Sequence, residues 1–198
     1  MNTKVEISII LLANNGREVN IHDLAIGSNY FDEEITSEFL WGTLGGIEIT
    51  IDGYKSILKC FEFYVSLNAI DFLMNSVFWN YGFLDKGYVD EEFPDCITSR
   101  LYTGNILKMC MKDEETVSLS YEQTDSSSVD SRRFFDKEIF HRSTWIEAVY
   151  SALKDYFELL DKTLIEHSLD TTSKIMGNYL DQWKELKKVA NKTQPAFH

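Results

Sequence analysis

Residues 4–12, KVEISIILL, alternate between apolar and polar positions: Val5, Ile7, Ile9 and Leu11 against Lys4, Glu6 and Ser8. Period-2 alternation predicts a strand with one buried face. Asn15-Gly16 follows, a dipeptide that favours a type I′ hairpin turn, so residues 17–21 are expected to pair back. Residues 23–36 read as an acidic connection. A second hairpin is predicted over residues 45–58, with Ile47, Ile49 and Ile51 on one face and Asp52-Gly53 at the turn. The most regular hairpin spans residues 105–123. There Leu107, Met109 and Met111 share a face, as do Val117, Leu119 and Tyr121. Residues 132–140, RRFFDKEIF, are compatible with one further short strand.

The period changes at Ser66. Leu67, Ile70, Leu73, Met74, Val77 and Phe78 recur at helical spacing up to the region of Gly82. A second helix is predicted from Thr144, where Thr144 and Glu147 form a Thr-x-x-Glu capping box. Its apolar stripe runs from Ile146 through Val149, Leu153, Tyr156, Phe157 and Leu160 to Leu164. After a break at residues 166–173, Ile175, Tyr179, Leu180, Trp183, Leu186 and Ala190 form another stripe. Strands first and helices last argue for an α+β class. The expected fold is an antiparallel sheet built from hairpins, one central helix, and a C-terminal antiparallel helical hairpin on the sheet. The expected organisation is one domain over 1–198. Residues 1–142 are mainly β with one helix, 143–191 form the helical hairpin, and 192–198 are a frayed tail.

Composition narrows the functional classes. At 198 residues with 44% hydrophobic and 14% aromatic side chains, the chain can form a core without metal or disulfides. Phe, Tyr and Trp fall mainly in segments that packing already requires. Nineteen basic residues against 32 acidic ones give a formal charge of −13. Such a charge disfavours nucleic acid and anionic lipid and favours encounter with basic partners. The lysines near the C-terminus suit a helix end better than a nucleic-acid footprint. Cys60, Cys96 and Cys110 are odd in number and include no Cys-x-x-Cys spacing, which predicts reduced, mostly buried thiols. The apolar run near the N-terminus is too short for a signal peptide, and no run is long enough to cross a bilayer. A cytoplasmic location is expected.

Candidate chemistry is sparse. The triplet Asp-Glu-Glu occurs at Asp32, Glu33 and Glu34, at Asp90, Glu91 and Glu92, and at Asp113, Glu114 and Glu115. The flanking residues do not repeat. Calcium loops need alternating oxygen ligands and a glycine at the sixth position, and residues 90–95 contain Phe93 and Pro94 instead. The triplets therefore read first as solvated loop tips and second as a rim for a basic partner. In the second reading Tyr30, Tyr88 and Phe93 are candidate aromatic anchors. Residues 42–46, GTLGG, open a strand rather than a helix and so form no phosphate cradle. No two of His22, His141, His167 and His198 have ligand spacing. His141 reads as a capping or surface residue, although a spatial dyad with Cys60 or Cys96 stays open. No metal, cofactor or catalytic residue is expected.

The segments IEITIDG, FPDCITSRLYTGNILKMCMKDEETVSLSYE and STWIEAVYSAL together combine a hairpin with an acidic turn and a C-terminal helix. In this pattern the chain resembles the small acidic immunity proteins of bacterial polymorphic-toxin and contact-dependent inhibition systems. The resemblance covers about half the chain. It implies stoichiometric neutralisation of a basic, often nuclease-type toxin and no catalysis. The alternative is a small-molecule-binding domain or a hydrolase with a pocket between sheet and helices.

Overall fold

The computed structural model describes residues 3–27, 35–57, 66–86, 95–100, 106–122, 138–167 and 173–193. Its strands are β1 (Val5–Leu12), β2 (Glu18–Asn20), β3 (Gly45–Ile51), β4 (Tyr54–Ile57), β5 (Cys96–Arg100), β6 (Ile106–Met111), β7 (Thr116–Glu122) and β8 (Glu138–His141). Its helices are α1 (Ile21–Ala25), α2 (Ser37–Gly42), α3 (Ser66–Lys86), α4 (Arg142–His167) and α5 (Ser173–Thr193). The strands form two four-stranded antiparallel sheets, ordered β2-β1-β3-β4 and β5-β6-β7-β8. The class is α+β, with the helical pair at the C-terminal end of the chain.

In the first sheet the alternation works as expected: Val5, Ile7, Ile9 and Leu11 are buried opposite Ile47, Ile49 and Ile51. The Asp52-Gly53 turn is a two-residue connection, with Ile51 paired to Tyr54 and φ of 48° and 83° at the two central residues. Both positive values are what a type I′ turn requires. The turn at Asn15-Gly16 differs from expectation. Ala13 N–H donates to Arg17 C=O and Gly16 N–H to Ala13 C=O, and of the loop residues only Gly16 has positive φ, at 80°. This is a three-residue loop, Asn14 to Gly16, closed by a left-handed glycine.

Two short helices replace the acidic connection expected after residue 23. α1 is capped by Asn20, whose side chain accepts from His22 N–H at 2.9 Å, and it ends at Gly27 with φ of 70°. Thr36 caps α2 by accepting from Phe39 N–H at 3.1 Å. Residues 28–34 lie outside the described residues.

α3 is the central helix. It contacts β1, β3, β5, α2, α4 and α5, and Ala69, Ile70, Leu73, Met74 and Val77 are fully buried along it. It continues past Gly82 to Lys86. α4 reaches β1, β8, α1, α2, α3 and α5, so, like α3, it joins both sheets. α5 packs on α3 and α4, and its Trp183 stacks between Phe157 at 5.0 Å and Tyr150 at 5.4 Å. One continuous cluster of buried residues runs through both sheets and these helices. The described aromatic side chains serve it, with Trp145, Tyr156 and Phe157 almost wholly buried.

α4 begins at Arg142, two residues before the predicted box, so Thr144 lies within its first turn. His141 takes the capping position instead: its Nδ1 accepts from Ser143 N–H at 3.3 Å, and Ser143 Oγ lies 2.8 Å from the same atom.

The cysteine expectation is overturned at two positions. Cys96 and Cys110 form a disulfide between β5 and β6. They face each other in register. Met111 N–H donates to Asp95 C=O, so the hydrogen bonds on β6 toward β5 come from the odd-numbered residues. Cys96–Cys110 is therefore a non-hydrogen-bonded pair, where cross-strand side chains approach most closely. Both residues are half-buried and lie on the face opposite Leu107, Met109 and Met111. Cys60 lies outside the described residues.

Candidate functional site: an acidic groove at an open strand edge

Asp113, Glu114 and Glu115 form the loop between β6 and β7, and all three are exposed. Asp113 builds the turn. Its Oδ1 accepts from the N–H groups of Glu115 at 2.8 Å and Thr116 at 2.7 Å, and its Oδ2 accepts from the Thr116 hydroxyl at 2.7 Å. The Thr116 hydroxyl first, then these N–H groups and the charge of Arg142, hold the Asp113 carboxyl below the usual carboxylate value. Glu115 C=O accepts from Arg142 N–H at 2.9 Å, which ties the loop to the start of α4. Glu114 and Glu115 carry the outward charge. Asp32, Glu33, Glu34, Tyr88, Asp90, Glu91, Glu92 and Phe93 lie outside the described residues, as does Tyr30.

This loop stands at the mouth of a groove. β1 is paired with β3 over Val5 to Leu11, but with β2 only over Ile10 to Leu12. Lys4 N–H donates to Asp52 Oδ1, Asp52 N–H to Lys4 C=O, and Leu12 N–H to Leu44 C=O, so even-numbered residues bond toward β3. Ala13, an odd-numbered residue, bonds toward β2. Backbone groups alternate sides along an antiparallel strand. Hence Val5, Ile7 and Ile9 direct N–H and C=O away from β3. The pairing of Ile10 with Asn20 takes up the Ile9 C=O, and among the described residues no strand pairs with this side of Val5 and Ile7.

α4 runs beside that edge with a face of small residues, Ala148, Ser151 and Ala152, ending in Asp155. Edge and helix enclose a cleft of about 460 Å³, with Asn20, Ile21 and His22 at one end. A second cleft of about 850 Å³ shares Val5, Ala148 and Ser151 with the first and extends it toward β8. Ile139, Phe140 and His141 form its far wall. Because Arg142 N–H bonds back to Glu115, alternation turns the N–H and C=O of Ile139 and the N–H of His141 outward as well, while His141 C=O, at the cap of α4, accepts the first helical bond. The Ile139 side chain is 54% exposed.

The lining is acidic. Glu6, Glu48, Glu147 and Asp155 contribute carboxylates, and Glu115 adds one at the rim, 3.9 Å from His141 Nε2. Against them stand Lys4, paired with Glu6 at 2.7 Å, and His22, whose Nδ1 lies 2.7 Å from Asp155 Oδ2. His22 and Asp155 are separated by 133 residues, so no local pattern announces the pair. Among the described residues no group of three or more His, Cys, Asp or Glu is placed to hold a metal ion. With its sulfur in the disulfide, Cys96 offers no thiol to His141.

A separate buried polar cluster is centred on α3. Trp145 Nε1 donates to Ser76 Oγ at 2.7 Å, and Ser76 Oγ donates to Leu73 C=O at 2.7 Å. Asn80 Nδ2 donates to Ser76 C=O and contacts Met109 Sδ at 3.4 Å. These bonds join α3, α4 and β6, and their role is architectural.

No protein-family model matches the chain, and neither a curated protein nor a solved structure matches it. Among the described residues no helix is long and apolar enough to cross a membrane.

Proposed function

We propose that the protein is a non-catalytic binding module that captures a basic protein, in the manner of a toxin-neutralising immunity protein. One observation carries this reading: the exposed Glu114 and Glu115 stand beside a groove that four further carboxylates line. An acidic surface of this kind, on a chain of net charge −13, accelerates encounter with a basic partner, to roughly 10⁸–10⁹ M⁻¹s⁻¹ at low salt. The proposal extends to the other two acidic triplets, with Tyr88 and Phe93 as anchors beside the second. Neither nucleic acid nor membrane is a partner in this account.

The test is association kinetics with the basic protein that co-purifies from the native host, across a range of ionic strength. Glu114→Gln with Glu115→Gln is expected to slow association and flatten its salt dependence while leaving dissociation nearly unchanged. An unchanged association rate contradicts the assignment of steering to this loop.

The cytoplasmic location proposed with this function meets one opposing feature. Disulfides persist in oxidising compartments and are rare in reducing ones. Thiol labelling of Cys96 and Cys110 in intact cells decides the compartment: labelled thiols support the cytoplasm, and protected ones place the chain outside it.

A second reading has one observation in its favour, the His22–Asp155 pair in the 460 Å³ cleft, with Ser151 one turn away on α4. An oriented histidine in a cleft that a serine also lines is the raw material of hydrolysis. Ester hydrolysis by the full chain that His22→Ala abolishes would favour this reading over the first.

A further inference from the structure

The groove has a property that charge alone does not require: its walls are two strand edges. Val5 and Ile7 turn donors and acceptors into it from β1, with the Ile9 N–H beside them, and Ile139 does so from β8, with the His141 N–H. An open edge is a template for one more strand. The floor between these edges is Ala148, Ser151 and Ala152, which leaves room for a backbone where larger side chains would fill it. Exposed edges in monomeric proteins are commonly blunted by a charge, a proline or a bulge. Here the charges on β1 and β3 beside the edge, Lys4, Glu6 and Glu48, belong to side chains on the outer face, and the His22–Asp155 pair stands at one end of the groove.

We infer that this groove is a strand-addition site, in which an extended basic segment of the partner pairs with Val5, Ile7 and Ile9 between the two sheets. The inference rests on the reading of the chain as a binder of a basic protein and names the site and form of that contact. Side chains of an added strand alternate between two faces. One face continues the row of Glu6 and Glu48 and so calls for lysine or arginine. The other turns toward Ala148 and Ala152 and so calls for small apolar residues. The guest is therefore an alternating basic and small-apolar segment. Charge also selects against a second copy of this chain, which would bring another −13 to an acidic lining.

The test titrates the full-length protein with a ten-residue peptide of alternating lysine and valine. Amide exchange is read at each residue of β1. The account expects new protection at Val5, Ile7 and Ile9 and little change at Glu6 and Ser8, which already bond to β3. The same peptide N-methylated at every second residue loses its pairing donors and should bind roughly tenfold more weakly or worse. A glutamate-for-lysine peptide should not bind. Ser151→Trp, at an exposed position, fills the floor and should remove the protection without lowering the thermal midpoint. Equal binding of the N-methylated peptide, absence of protection at the three amides, or a dimer formed through β1 overturns the inference. The outcomes separate from those of the proposed function. No edge protection together with slowed association in the Glu114→Gln, Glu115→Gln protein sinks strand addition and leaves the acidic docking face standing. Edge protection with an unchanged association rate does the reverse.

Discussion

The two sheets reach the same core by different means. The inward face of β1 and β3 is built from Val5, Ile7, Ile9, Leu11, Ile47, Ile49 and Ile51, whose alternation sets the register by itself. The inward face of β6 and β7 carries Leu107, Met109, Met111, Val117, Leu119 and Tyr121, two of them flexible methionines that specify packing weakly. Among the described residues the second sheet has a disulfide from β5 to β6 and the buried Trp145–Ser76–Asn80 cluster against Met109, whereas the first is tied by single hydrogen bonds, Thr43 Oγ1 to Leu12 C=O and Lys4 N–H to Asp52 Oδ1. Aliphatic alternation suffices where side chains are stiff, and covalent and polar links supplement it where they are soft.

Four variants probe this contrast. The largest effect is expected in the first sheet, where nothing but packing holds Ile9. Ile9→Ala should cost about 2–5 kcal/mol in chemical denaturation, with no dependence on reductant. Next, Cys96→Ser with Cys110→Ser should cost about 3 kcal/mol, given the sequence separation of 14. Reductant alone should lower the wild-type stability by a similar amount and leave this double variant unchanged. A loss smaller than that of any surface substitution would mean that β5 and β6 pair equally well unlinked. Ser76→Ala should cost about 1–3 kcal/mol, because the buried Trp145 indole N–H loses its acceptor. A neutral result would show that the cluster adds nothing to the packing around it.

The smallest effect belongs to Asp113→Asn at the loop tip. The folded-state pKa of Asp113 is depressed, so its contribution is complete above the ordinary carboxylate value. That contribution disappears as pH falls through the depressed one. The stability difference between wild type and Asp113→Asn should therefore close on acidification. A difference as large at about pH 2 as at neutrality contradicts the turn-forming role.

Much of the fold was legible because it follows from periodicity. The strands around Ile7, Ile49, Met109 and Leu119, the central helix over Ile70 to Val77 and the stripes of α4 and α5 each stand on one repeating face. Asp52-Gly53 announced its turn because both residues take the conformation the dipeptide favours. Asn15-Gly16 misled by one residue, since a glycine with positive φ closes a three-residue loop as readily as a two-residue one. α1 and α2 were too short for a period, and only their caps, Asn20 and Thr36, marked them. β5 was missed because five residues after Pro94 carry no alternation, and with it went the signal that Cys96 stands opposite Cys110.

The site was less legible. The Asp113 loop could be read as an exposed acidic tip, but not that its aspartate is committed to the turn while its glutamates face outward. The groove could not be read at all. It depends on where β2 stops along β1 and on α4 passing beside the uncovered edge, and both are tertiary facts. Ala148 and Ser151 gave no sign of it, because small residues on a helix face are ordinary until an open strand lies opposite them.

Residue-resolved amide exchange across β1 in the unbound full-length chain tests this account most directly. The open edge predicts that Val5, Ile7 and Ile9 exchange much faster than Glu6, Ser8 and Ile10, whose amides are bonded to β3. Uniform slow exchange along the strand would mean that the edge is already covered, and the groove would then have no backbone to offer a partner.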